Sequence, residues 1–566
     1  MSKQFLIVAA AIFITATVIG GMSKELIARH SIAPAKNGAS TADQIEGDYQ
    51  EAMNIVGNNY VGDVDYEKAT QASIQGMLST LDPHSMYFTR NEFKKLKEDQ
   101  DSRFYGIGVT ILQHRDGVYV QSAVKGTPAE RAGLRYGDRI IEVDGKDARD
   151  WTSEQVSKNV RGDRGEPVQL KVERAGQSEP LTFTIVRDAV PLPSISNTFM
   201  IRQGVGYIGL TRGFQHTTGD ELSDAIKTLK GQGMRQLVLD LRNNPGGLLD
   251  QAIDVASEFL PRGQVVVSVR GREYEQPILY RSKGTDPEEF PLVVLINRNS
   301  ASASEIVAGA IQDQGRGLVV GETSFGKALV QRVYQLPLGA GLTLTTAKYY
   351  TPYGRSIQRS YSSGSLYDYY TRHDANDDAG ANANAKAVPS PDAQATPAVA
   401  PTPPPGPAVK TAGGRIFYGG GGITPDVEVK PLNATPLRGR VMEAAFQFTR
   451  QLAAGQIAGL ESYRIEKTEY GHVLRASDYP VTDKVLEAFR NFLRKDPTLG
   501  VQPAQLDEEL DFVRLRLRDE IITAAYSTDV GSRVLLESDP QVLRAVELLP
   551  DAKRLAESIR NGAILS

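Results

Sequence analysis

The sequence predicts a multidomain α/β protein: an N-terminal helical segment, a small β domain, an α/β core with a largely parallel sheet, and a helical C-terminal region. Three observations predict it. The 566 residues leave room for about four domains of roughly 150 residues each. From Gly204 onward, strand-like and helix-like stretches alternate: VGYIGL, GDELSDAIKTLKGQ, QLVLDLR, LLDQAIDVASEFL, LVVLIN, SEIVAGAIQDQ. Apolar strands alternating with helices are the texture of a sheet covered on both faces. Before that point GVTILQ, GVYVQSAV, DRIIEVDG and VQLKVER read as short strands broken by glycine.

The elements follow in order. Residues 1–35 hold 20 uncharged residues from Gln4 to Ser23, which as a helix would reach about 30 Å, the thickness of the hydrocarbon core. They read as an uncleaved anchor or a cleaved signal peptide, with no clean A-x-A site to choose the second. Residues 36–100 have a helical pattern, with Ile55, Tyr60, Ile74, Met77 and Leu81 near helical spacing, and end in LDPHSMYF. Residues 101–189 form the β domain and 190–360 the α/β core. Within 361–414, residues 375–410 contain eleven Ala and eight Pro among 36 positions. With no large apolar side chain to bury, that insert is expected to be disordered. GGGGITPDVEV, in the return segment 415–432, restores order. The tail 433–566 carries the helical stripes Val441, Ala445, Phe448, Leu452 and Leu506, Leu510, Val513, Leu517, Ile521.

Composition narrows the function. Lys and Arg total 64 against 68 Asp and Glu, a net charge of −4, which offers no bulk attraction to nucleic acid. Cysteine is absent, so disulfides, thiolate metal sites and a cysteine nucleophile are excluded; any nucleophile is an oxygen or an amine. No H-E-x-x-H or paired ligand spacing calls for a metal, and no cofactor is expected.

Three local features can carry chemistry. In DLRNNPGGLLD a strand meets a double glycine and a helix, so Gly246 and Gly247 can turn N–H groups toward a developing oxyanion, or simply make a βα turn. In NRNSASASEIVAG a strand meets a helix N-terminus, which favours alkoxide character; Ser300, Ser302 and Ser304 compete for that place, with helix capping near Glu305 as the alternative role. In GETSFGKALVQ, Lys327 has apolar neighbours, and desolvation there would lower its pKa toward that of a general base. Among the six histidines only His216, in GFQHTTG, lies on a loop of the α/β region before the serines, which leaves it as an alternative base.

LDPHSMYF, GIGV through RAGLRYGDRIIEVDG, DLRNNPGGLL, SASASEIVAGAIQD and GETSFGKALVQ occur here in an order that resembles the C-terminal processing peptidases, or tail-specific proteases. These are PDZ-containing serine proteases with a Ser-Lys dyad. The resemblance runs from about residue 45 to 360 and resumes at GGGGITPDVEV. It implies Ser302 as nucleophile, Lys327 as base and Gln331 as the residue orienting the base. It implies an oxyanion hole from Ala303 with Gly246 or Gly247, and a supporting role for Asp313.

By the same resemblance residues 101–189 are a PDZ domain, in which Tyr105, Gly106, Ile107 and Gly108 precede a strand and can form a nest of N–H groups for a terminal carboxylate. Arg161 aligns with an arginine that in some members reaches the catalytic lysine and glutamine when the enzyme is switched on; a surface charge near Asp163 is the other reading. The implied protein is an endopeptidase whose partners are polypeptides with exposed C-terminal tails. It is expected at the cell membrane through its N-terminal segment, with its body on the extracytoplasmic (periplasmic) side, or exported after signal cleavage. Terminal helices leave a homo-oligomer open.

Overall fold

The computed structural model describes residues 41–361, 369 and 406–565. The Gln4–Ser23 run and most of the Ala/Pro insert lie outside them; among the described residues no helix is long and apolar enough to cross a membrane. Two compact units divide the chain at Ile74 and Gln75.

In the first unit, helix α1 (Ala42–Asn59) opens on a capping box in which Thr41 and Gln44 each accept the other's backbone N–H. Ile55 and Tyr60, two of the apolar positions near helical spacing, are exposed. Helix α2 (Tyr66–Ser79) crosses into the second unit, where Leu78 is buried while Met77 and Leu81 are exposed. Spacing fixed the helical period there but not which face meets the core. Met86–Phe88, expected to close a helical region, is instead strand β1, antiparallel to Gly341–Thr343. Helix α3 (Arg90–Gln100) follows, capped by Thr89.

The β domain contains β2 (Arg103–Gly106), β3 (Val109–His114), β4 (Gly117–Ala123), α4 (Pro128–Ala132), β5 (Arg139–Val143), β6 (Lys146–Asp147), α5 (Ser153–Val160), β7 (Pro167–Glu173), β8 (Leu181–Val186) and β9 (Asp188–Pro191). Its sheet runs β3-β4-β5-β7-β8 with β6 on β5, while β2 pairs with β9. Ile107, Val118, Val120, Ile140, Val168 and Leu170 bury against Val156 and Val160 of α5. Strand β3 ends the sheet with one edge unpaired among the described residues, beside α5, whose Ser153 N–H donates to Gln113 Oε1 at 2.8 Å.

The core comprises β10 (Ile195–Arg202), β11 (Val205–Leu210), α6 (Thr218–Gly231), β12 (Gln236–Asp240), α7 (Leu249–Ser257), β13 (Val265–Gly271), β14 (Ile278–Arg281), β15 (Leu292–Ile296), α8 (Ala303–Asp313), β16 (Leu318–Gly321), β17 (Leu329–Gln335), β18 (Gly341–Tyr350), β19 (Ala408–Lys410), β20 (Ile416–Tyr418) and β21 (Val427–Glu428). The main sheet, β10-β11-β12-β15-β16-β21, is parallel apart from β10, which is antiparallel to β11. A second, antiparallel sheet, β1-β18-β13-β14 with β17 on β18, has no counterpart in the sequence reading. Described residues at both ends of the insert are ordered: Ala408–Lys410, expected to be disordered, pairs with Ile416–Tyr418, and Tyr369, near the insert's start, is buried.

Helices α9 (Pro436–Ala453), α10 (Asp483–Lys495) and α11 (Leu510–Ala525) share a core of Val441, Phe448, Phe489, Val513 and Ile521. They lean on the β domain, where Phe446 stacks on His114 with ring centroids 3.6 Å apart and Tyr136 donates to Glu520 at 2.8 Å. After α12 (Thr528–Leu536), the last helix, α13 (Pro540–Leu565), leaves that bundle for the main sheet. Alternate strand residues face opposite ways: Leu237, Leu239 and Val294 pack with Leu222, Val255 and Ile306 of α6–α8. Val238, Val293 and Leu295 pack with Val542, Ala545, Leu549 and Ala552 of α13. The tail thus supplies one of the two layers that cover the main sheet.

Candidate active site

Five apolar residues make β15, buried throughout, and the chain then turns through Asn297–Ala301 into α8. Ser300 Oγ donates to Leu241 O at 2.8 Å and accepts from Asn297 N–H at 2.9 Å. Ser304 Oγ donates to Asn244 O at 3.0 Å. Both serines are fully buried. Ser302, between them, is half-buried; its side chain forms a capping box with Glu305, and among the described residues its hydroxyl donates to no carbonyl. Its φ of 55° is rare for a residue with a Cβ and costs about 1–3 kcal/mol, a strain that clusters at functional sites.

Glu305, one turn into α8, ties this corner to the lysine loop. Its carboxylate accepts from Ser302 N–H (2.8 Å), Ser324 Oγ (2.5 Å), Gly326 N–H (2.7 Å) and Lys327 N–H (2.9 Å). Complete burial pushes its pKa up to about 7 against the pull of those donors. Tyr349 OH, from β18, bonds to Ser302 O and Lys327 O. Sequence reading gave Glu305 only a capping role and Tyr349 none; its spacing three residues after Ser302 was the available signal for the first.

Lys327 Nζ donates to Gln331 Oε1 at 2.8 Å, and Gln331 Nε2 donates to His84 O. Desolvation lowers the lysine's pKa from its ordinary 10.5, opposed by the charges of Asp82 and Glu305. His84 falls to about 4, first through burial and then through Lys327, so its ring is neutral at pH 7. The LDPHSMYF segment, named for its resemblance alone, therefore stands beside the lysine.

The double-glycine turn packs on the same corner. Gly246 has a φ of 96°, and a Cβ there would meet Ser302 Cβ at 2.6 Å and Ala303 N at 2.9 Å; only glycine fits. Its N–H donates to Asn244 Oδ1 at 2.9 Å. Among the described residues the N–H groups of Gly247 and Ala303 have no such partner. Asp313 lies at the far end of α8, paired with Arg355 at 2.7 Å with both side chains buried.

Other expected residues fall elsewhere. His216 is exposed, with its backbone N–H donating to Gln100 O. Tyr105 and Gly106, expected in a loop of free donors, belong to β2 and pair with β9, because the residues before the bend extend a ladder. Ile107 and Gly108 form the bend itself; their carbonyls accept from Ala129 and Val124, and a Cβ on Gly108 would strike Thr127 at 2.4 Å. Arg161 sits 4.2 Å over the Phe104 ring, not at Lys327 or Gln331. Asp163, its alternative neighbour, pairs with Lys94.

Three family models match the chain. The peptidase family S41 model matches residues 204–369, the PDZ domain model residues 95–173, and the model of the activating protease CtpB N-terminal domain residues 5–92. A peptidase and a PDZ domain in one chain define a PDZ-bearing serine peptidase. The carboxy-terminal-processing protease of Bartonella bacilliformis is 36% identical over 363 residues, 63% of this chain and 81% of the relative. CtpB of Bacillus subtilis, a carboxy-terminal processing protease, is 34% identical over 323 residues, 56% of this chain and 67% of the relative. A solved photosystem II D1 C-terminal processing protease shares 30% identity, covering 56% of this chain and 91% of that chain, with a TM-score of 0.33. The chain belongs to the carboxy-terminal processing protease family.

Proposed function

We propose that this protease cleaves polypeptides through acylation of Ser302, with Lys327 as general base. Neutral Lys327 takes the Ser302 proton as Oγ attacks the scissile carbonyl, and the resulting oxyanion is held by the N–H groups of Ala303 and Gly247. The ammonium then protonates the leaving amine. Water, deprotonated by Lys327, releases the acyl group and restores the serine. The observation that carries the reading is the division among three serines: Ser300 and Ser304 are buried and donate to carbonyls, whereas the strained Ser302, capping α8 with Glu305, donates its hydroxyl proton to no carbonyl among the described residues.

The PDZ domain captures the substrate's free C-terminus at the Ile107–Gly108 bend, and the tail adds as a strand along the open edge of β3. The Gln4–Ser23 run holds the body at, or exports it across, the cytoplasmic membrane, on the periplasmic side. A fluorophosphonate that modifies activated serines tests the dyad: mass analysis should find the adduct on Ser302, and Lys327→Ala and Lys327→Arg should both abolish labelling and cleavage of a free-acid peptide. An adduct on another serine, or an active arginine variant, would sink the assignment.

A further inference from the structure

We propose that Asp82 is a positioning residue for the base: by tying the turn Asp82–Ser85 it holds the His84 carbonyl against the Gln331 amide and so decides which end of that amide faces Lys327. The inference rests on the Ser302–Lys327 reading.

A side-chain amide has ends of opposite polarity. With Oε1 toward Nζ, a neutral Lys327 donates one N–H to it and keeps its lone pair for the serine proton. After proton transfer, the ammonium still has its acceptor. With Nε2 toward Nζ, the amide N–H would occupy the lone pair, and the ammonium would face a donor. The choice is made at the other end of Gln331, where Nε2 meets the His84 carbonyl, which can only accept.

The turn fixes that carbonyl. Asp82 Oδ1 accepts from the N–H groups of His84 (2.8 Å) and Ser85 (2.9 Å), and Oδ2 accepts from Ser85 Oγ (2.7 Å). Ser85 Oγ in turn accepts from Thr345 N–H at 3.1 Å, and Thr345 is the β18 residue in register with Gln331 of β17. The turn is therefore fastened to the ladder directly opposite the glutamine. Asp82 is itself buried, and among the described residues its three accepted hydrogen bonds all come from this turn. The ionisable groups facing Lys327 are Asp82, Glu305 and His84, with the Tyr349 hydroxyl at its carbonyl.

A double-mutant cycle on kcat, using the full chain and a free-acid peptide, tests the coupling. Gln331→Ala and Asp82→Ala should each lower kcat by roughly 100-fold, as expected of a misaligned base, with KM little changed. The double variant should be no more than about twofold below the worse single variant, because Asp82 acts through Gln331. Losses that multiply in the double variant would overturn the proposal. If Asp82→Ala fails to fold, Asp82→Asn takes its place. It keeps an acceptor for the turn amides but removes a negative charge near Lys327, so the acid limb of kcat/KM should move to lower pH. A uniform loss at every pH, with the limb unmoved, would show a merely structural aspartate. Active Ser302→Ala would sink the dyad itself, whereas an inactive Ser302→Ala with multiplicative losses in the cycle would sink only the positioning role.

Discussion

Replacing each of the three serines in turn by alanine should separate stability from activity in opposite orders. Ser300→Ala removes, at a fully buried residue, a hydrogen bond to Leu241 O, which keeps its bond from Asn244 N–H at 3.3 Å, and the acceptor for the part-buried Asn297 N–H. A buried group left unpaired costs about 1–3 kcal/mol and the loss of a second bond about 1 kcal/mol, so a loss of about 2–4 kcal/mol is expected. In a domain of this size that is a fall in Tm of about 5–10 °C. Ser304→Ala removes one bond to Asn244 O, which keeps its bond from Ala301 N–H at 3.0 Å, so about 1 kcal/mol should go. Ser302→Ala removes only the half-exposed side-chain arm of the capping box with Glu305 and should cost no more than about 1 kcal/mol, yet turnover should drop by roughly a millionfold, to background. The assay is peptide cleavage paired with circular-dichroism melts and hydrogen exchange across residues 297–313. The single tryptophan, Trp151, lies in the β domain, so its fluorescence would miss this region. If Ser302→Ala proved the least stable of the three, or Ser300→Ala the least active at a temperature where it is folded, the division of roles would be refuted.

Three further outcomes follow. Cleavage should rise with pH through the pKa of Lys327, which burial sets below the ordinary 10.5, because only the neutral amine accepts the serine proton; a kcat/KM profile flat across that limb would contradict it. Asp313→Asn should break the buried pair with Arg355 and destabilise the core by about 3–5 kcal/mol, while kcat measured on the fraction still folded stays near wild type. Amidating the C-terminus of a peptide substrate should slow its cleavage, since the bend at Ile107–Gly108 is read as a carboxylate site; equal rates for the two peptides on the intact chain would remove that reading.

Order of elements and the parallel sheet were legible because they rest on local patterns: buried β-strands are continuous apolar runs, and LVVLI and QLVLD have no other comfortable home. The serine loop and the lysine loop could be located the same way, but the selection of Ser302 over Ser300 and Ser304 came from resemblance. The physical reason for it, that the outer two bond to Leu241 and Asn244 some 60 residues away in the chain, is long-range. The same holds for His84 at Gln331, 247 positions on. Strand β1 was missed because three residues are too short to show a period, and the second sheet because its pairings join segments as distant as Met86 and Thr343. The seat of Arg161 over Phe104 is likewise a contact that a sequence cannot show.

The placing of α13 against Val238, Val293 and Leu295 has a consequence for folding. The β domain has all its strands by Pro191. The peptidase sheet is not so self-contained. Its first parallel strand begins at Val205, but the layer that covers one of its faces comes from far along the chain, from Pro540 onward. Until that stretch docks, one apolar face of the sheet meets water. The serine corner, built between strands of that sheet, therefore gains its full support only after a non-local closure that the β domain does not need.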